Sequence, residues 1–145
     1  MLDVLFVGAL ERQLDDKGRL ALPATFRDRL RDQCYLAKGR DKCVNVVPAD
    51  VFKAEAQAMA ARVEAGDVPR NQLRALAYSA TAVQLDKQGR VTLDEDLRAY
   101  ADLSVGKPVV VAGSFDRLEI WSPVRYARVN NAGTGGLAGN DEPIE

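Results

Sequence analysis

The chain has 145 residues, 47% of them hydrophobic, with 20 bases against 21 acids and a net charge of -1. That balance excludes a protein that coats nucleic acid non-specifically, which needs a clearly basic domain, and the even spread of apolar residues excludes a disordered chain. No histidine is present, so the commonest general base and zinc ligand are missing, and no apolar run approaches the ~20 residues of a membrane span.

The opening "MLDVLFVGALER" carries Asp3 and no basic lead. It reads as a strand rather than a signal peptide, and a cytoplasmic address is expected. Strand-like alternation from Val4 to Leu14 runs into the turn "DDKG", and "RLALP" alternates again. Pro23 then opens a short helix, "ATFRDRL", at a position where its missing N–H costs little. Two more strands, "CYLAKG" and "KCVNVVP", follow around a turn at Gly39 and Asp41.

From Ala49 to Ala65, Phe52, Ala56, Met59 and Val63 recur at helical spacing. After "AGDVP", Pro69 starts a second helix with Leu73, Leu76, Ala77 and Ala80 on one face. From Thr81 the first pattern returns: strand "TAVQL", turn "DKQG", strand "RVTL", short helix "DEDLRAYA", then "KPVVVAG" and "RLEIW" about a turn at Ser114 to Asp116. Val44, Asn45, Val46 and Phe52 correspond to Leu118, Glu119, Ile120 and Tyr126, so internal duplication is the simplest account. The expected organisation is a first repeat over 8–55, a helical linker over 56–82, a second repeat over 83–126 and a glycine-rich disordered tail over 130–145.

Aligned without gaps, "LDDKGRLALPATFR" and "LDKQGRVTLDEDLR" keep Leu14/Leu85, Asp15/Asp86, Gly18/Gly89, Arg19/Arg90, Leu22/Leu93 and Arg27/Arg98. Gly18 and Gly89 supply the positive φ of a tight hairpin, but nothing in a hairpin requires the arginine. On a rigid ribbon, Arg19 and Arg90, with Lys17 and Lys87 at the turns and Arg12 just upstream, can meet phosphates or guanine edges. Asp15 and Asp86 would hold the arginines in place, reducing the rotamer entropy lost on binding.

Charge along the sequence ranks the copies. Arg12 to Asp32 holds six bases against four acids, whereas Asp86 to Arg98 holds three against four; the first copy is expected to be the better anion binder. Asp94 replaces Pro23 in the second copy; it can cap a helix but adds negative charge. Paired carboxylates, Asp15 with Asp16 or Asp94 with Asp96, have no nucleophile–base pair or metal cluster beside them. No enzymatic activity, catalytic residue, metal or cofactor is therefore expected. Cys34 and Cys43 lack metal-ligand spacing and read as reduced, packed thiols.

The two D-x-x-x-R motifs, "LPATFR" and "LDEDLR" after them, and the later "GSFDRLEIW" together resemble the MraZ family of bacterial transcriptional regulators, built from two SpoVT/AbrB-type domains. The likeness runs from Val4 to Tyr126. It implies an α+β, β-rich fold of two tandem swapped-hairpin, AbrB-like β-barrel repeats joined by a helical pair about a pseudo-two-fold. It also implies a ring-shaped homo-oligomer on short direct repeats of double-stranded DNA in the promoter of the division and cell-wall gene cluster, usually as a repressor of its own operon in the cytoplasm at the nucleoid. Neither a membrane nor a small-molecule substrate is an expected partner. The alternative reading is a β-barrel assembly module in which the motif arginines bridge subunits.

Overall fold

The computed structural model describes residues 5–30 and 33–139. Among these residues eight strands and five α-helices follow in an order that repeats. The first repeat runs β1 (Ala9–Gln13), β2 (Arg19–Ala21), α1 (Ala24–Leu30), β3 (Cys34–Lys38), β4 (Val44–Pro48) and α2 (Ala49–Glu64). After α3 (Arg70–Ser79) come β5 (Thr81–Val83), β6 (Arg90–Thr92), α4 (Glu95–Ala101), β7 (Pro108–Gly113), β8 (Leu118–Trp121) and α5 (Pro123–Leu137). The closing α5 is the counterpart of α2.

Strand pairing crosses the repeats. A six-stranded antiparallel sheet has the order β1-β7-β8-β4-β3-β5, and β2 pairs with β6 in a separate two-stranded ribbon. Thus β1 of the first repeat lies beside β7 of the second, and β5 of the second beside β3 of the first. Each turn was expected to join two strands of one hairpin; instead its two strands part and find partners in the other copy. This is the swapped arrangement. The pseudo-two-fold passes through two pairs of equivalent residues, Asn45 opposite Glu119 in the sheet and Leu20 opposite Val91 in the ribbon.

Alternation along the strands builds one shared core. Cys34 and Leu36, Val44 and Val46, Val109 and Val111, and Leu118 and Ile120 point to one side of the sheet, where they meet Leu20 and Val91 from the ribbon, Leu22 and Leu93 just after its strands, and Phe26, Leu30 and Leu97 from α1 and α4. Each such side chain contributes about 1.5–3 kcal/mol when fully buried, and the side chains of the two repeats join in one cluster. The other side of the sheet carries a smaller cluster of Cys43, Val110, Ala112 and Trp121, with Tyr126 of α5 packed on it. Phe52 of α2 stacks on Tyr35 of β3 at 4.5 Å.

Two expectations need correction. The strand expected from Val4 to Leu14 is interrupted: Gly8 takes φ 86°, Phe6 makes an isolated bridge to Phe115, and regular pairing begins at Ala9; Val4 lies outside the described residues. The tail expected to be disordered from 130 onward is helical to Leu137. Ser122 caps α5 through the Arg125 amide, Pro123 sits where its lack of an N–H is harmless, and Tyr126 anchors the helix on the sheet. A Cβ at Gly133, Gly135 or Gly136 would meet nothing within 4 Å, so these glycines lower helix propensity without being required by close packing. Residues 140–145 lie outside the described set.

Candidate nucleic-acid interface

The two motif turns are the same object built twice. In the first, the Gly18 amide donates to Asp15 O at 3.1 Å and the Asp15 amide to Arg19 O at 3.0 Å. Asp15 Oδ1 accepts from the amides of Lys17 and Arg19 at 2.9 and 2.8 Å, and its Oδ2 accepts from Arg19 Nε at 2.8 Å. In the second, Asp86 Oδ1 accepts from the amides of Gln88 and Arg90 at 2.9 Å each, and Oδ2 from Arg90 Nε at 2.8 Å. The backbone donors, Arg19 and Arg90 first, hold both carboxyls below the usual carboxylate range against a smaller desolvation effect. Asp15 and Asp86 thus each hold an arginine by its Nε. Gly18 and Gly89 take φ 76° and 73°, the left-handed region the turn requires.

The register of the ribbon sets where the arginines emerge. Arg19 pairs with Thr92, Leu20 with Val91 and Ala21 with Arg90. Paired residues and those two apart share a face, so Leu20 and Val91 enter the core while Arg19 and Arg90 leave together on the opposite face. Two residues along and one strand across separates their Cα atoms by ~8 Å. Their side chains are 33% and 28% exposed, and among the described residues nothing accepts a hydrogen bond from their terminal nitrogens. Each guanidinium therefore has its Nε fixed and its two Nη groups available for a bidentate acceptor. The ribbon foreseen within each hairpin is in fact one strand from each copy.

The other expected site residues fall around this face unequally. Lys17 and Lys87 are both exposed, but they stand at different places: Lys17 precedes the turn glycine, where the second copy has Gln88, and Lys87 occupies the position of Asp16. Arg12 is half-buried on β1 and donates to Glu11 O at 3.2 Å; none of its described contacts reaches the turns. Asp94 accepts from the Leu97 amide at 2.9 Å and caps α4, the role open to it in the sequence.

Two arginines to which the sequence reading gave no role enter here. Arg27 Nε donates to Leu22 O at 2.9 Å and Arg98 Nε to Leu93 O at 3.1 Å. The amide of Leu22 donates to Gly89 O at 3.0 Å, and that of Leu93 to Gly18 O at 2.8 Å. Arg27 therefore lies over the second turn, and Arg98 over the first. Their signal was the pair Arg27/Arg98 in the aligned repeats. The same bonds overturn the grouping behind the charge count, because each turn is flanked by the short helix of the other repeat and not by its own.

A family model described as "MraZ protein, putative antitoxin-like" matches residues 5–69 and 76–132. This chain belongs to the MraZ family. It is 41% identical over 137 residues to "Transcriptional regulator MraZ" of Nocardioides sp. strain JS614, covering 94% of each chain. The protein of the same name from Nocardia farcinica is 44% identical over 117 residues, covering 81% of this chain and 80% of its own. That of Thermomicrobium roseum is 37% identical over 124 residues, 85% of each. Each of the two segments matched to MraZ carries one D-x-x-x-R turn, so the family resemblance and the duplicated geometry coincide. Among the described residues no group of three or more Cys, Asp or Glu side chains is arranged to hold a metal, and no helix is long and apolar enough to cross a membrane.

Proposed function

We propose that this MraZ-family chain is a DNA-binding transcriptional regulator whose contact surface is the outer face of the β2–β6 ribbon. The observation that carries the reading is the emergence of Arg19 and Arg90 on one face, each with Nε tied to an aspartate and both Nη groups open. An arginine fork held in this way suits guanine O6 and N7, and a two-stranded ribbon fits the major groove. Lys17 and Lys87 flank it as phosphate contacts, with Arg12 upstream. The names of its relatives support regulation of transcription.

On this reading the protein acts at the nucleoid as a ring-shaped homo-oligomer on short direct repeats, repressing the division and cell-wall gene cluster that contains its own gene. One subunit presents few cations. Several ribbons engaging several repeats gain ~100-fold or more through effective concentration when the spacings match. Binding then falls steeply with salt as counterions are released.

The test is a mobility shift on the DNA upstream of the gene, run beside size-exclusion chromatography. Arg19→Ala and Arg90→Ala are each expected to keep the oligomer and lose affinity by about 1–3 kcal/mol if the arginine reads a base. Equal loss on cognate and scrambled DNA would restrict them to phosphate. A broken oligomer would mean instead that the arginines bridge subunits.

A further inference from the structure

The exchange of strands decides the electrostatics of the two ends of the ribbon. The first turn places Asp15 and Asp16 beside Lys17 and Arg19, and its flanking helix is α4, preceded by Asp94 and opening with Glu95 and Asp96. Of these acids, Asp15 is tied to Arg19 and Asp96 lies 3.3 Å from Lys38, whereas the exposed Asp16 and Glu95 make no ion pair among the described residues. The second turn has one acid, Asp86, beside Lys87 and Arg90, and a neutral Gln88. Its flanking helix is α1, which opens with Ala24 and Thr25 and brings Arg27 over Gly89. With its helix the first turn gathers Lys17, Arg19 and Arg98 against Asp15, Asp16, Asp94, Glu95 and Asp96, and the second Lys87, Arg90, Arg27 and Arg29 against Asp86 and Asp28, so in space the second turn is the more basic, the reverse of the order along the sequence.

We infer that Lys87 and Arg90 of the second repeat, with Arg27 of the first, form one composite site for a DNA phosphate, and that this end of the ribbon binds more strongly than the Lys17–Arg19 end. The site rests on the ribbon being the DNA face, and it deepens that reading by naming a residue outside both motifs. Arg27 is half-buried and its Nε is spent on Leu22 O; its Nη groups have no partner among the described residues. Because Arg27 and Arg90 come from different repeats, only the swapped fold assembles the site. At the first turn Arg98 takes the place of Arg27, but the exposed Asp16 and the acids that open α4 stand beside it, and like charge opposes the binding of a phosphate there.

The experiment titrates wild type, Arg19→Ala, Arg90→Ala, Arg98→Ala, Arg27→Ala and Arg27→Lys with duplex DNA from upstream of the gene over a salt series, with thermal melting and oligomeric state measured alongside. Arg27→Ala and Arg90→Ala are expected to weaken binding ~10-fold or more and to lower the salt slope by about one, while Arg27→Lys keeps the slope. Arg98→Ala and Arg19→Ala should lose less. If Arg27 merely braced the fold, Ala and Lys would lose alike with no change in slope, and that result overturns the proposal. So does a larger loss for Arg19→Ala than for Arg90→Ala. Should Arg27→Ala fold poorly, the double variant Asp16→Asn, Glu95→Gln leaves the braces intact and is expected to tighten binding several-fold; unchanged affinity refutes the ranking. Wild type that fails to shift the duplex even at low salt refutes the DNA reading itself, and the composite site with it.

Discussion

The amide of Leu93 donates to the carbonyl of Gly18 at 2.8 Å, and the pseudo-symmetric Leu22 amide donates to Gly89 at 3.0 Å. Each repeat closes the other's turn, and β1, β2, β3 and β4 all have partners in the second repeat. A chain ending after Ala80 would expose those edges and half of the common core. Such a fragment is expected to show no cooperative thermal transition by circular dichroism; a sharp melt like that of the full chain would contradict the shared core.

Glycine at position 18 meets two demands. Its φ of 76° disfavours any side chain, and a Cβ there would stand 2.9 Å from the carbonyl oxygen of Leu93, a backbone atom with little freedom to yield. Gly106 has a similar φ of 75° but nothing within 4 Å. Gly106→Ala should cost only the ~1–2 kcal/mol of left-handed backbone, and Gly18→Ala clearly more, as read from denaturant midpoints of the two variants. Equal costs would mean that the turn does not press on the Leu93 carbonyl just after β6.

The turns should tolerate acid. Because the folded state holds Asp15 and Asp86 below the ordinary carboxylate value of 3.8, their contribution to stability is complete above that value and is lost only as the pH falls through the lowered one. Carboxyl carbon shifts followed by NMR should titrate below the ordinary value for both, and the arginines should stay locked from pH 8 to pH 5. A midpoint at or above 3.8 would mean the amide bonds to these side chains are not made in solution.

The thiols behave in the opposite direction. Burial pushes Cys34 up to about 11 and Cys43 up to about 12 from an ordinary 9.0, and both are free and buried. The thiolate is the reactive form, so native protein at pH 8 is expected to be inert to a thiol reagent such as dithionitrobenzoate and to react fully in denaturant. Above pH 9 the unfolded chain releases protons that the folded one keeps, so these two groups make stability fall with rising pH. Rapid labelling of the native protein would show that the sheet opens locally at β3 or β4.

Much of this was legible in the residues. The spacing of Asp, Gly and Arg in the two aligned stretches located the turns, because an Asp side chain reaching its own following amides and a glycine at positive φ are local requirements. Apolar alternation located β3, β4, β7 and β8 for the same reason. The pairing of Leu20 with Val91 was beyond local reading, since two strands so far apart in the chain carry no mark of their partner. Without that pairing, Asp94 and Glu95 were charged to the wrong turn and Arg27 was left without a task. The helical tail was missed because its glycines outweighed the position that duplication assigned to it, opposite α2.

The pseudo-two-fold through Leu20 and Val91 is only approximate, and its imperfection has a use. A strictly symmetric ribbon would lie on a duplex equally well in either direction and would suit a palindrome. With Asp16 at one end where Lys87 stands at the other, the chain has a head and a tail. Bound through this face, it would register the polarity of the double helix, so that a series of subunits laid side by side would all point the same way along a site written in one direction.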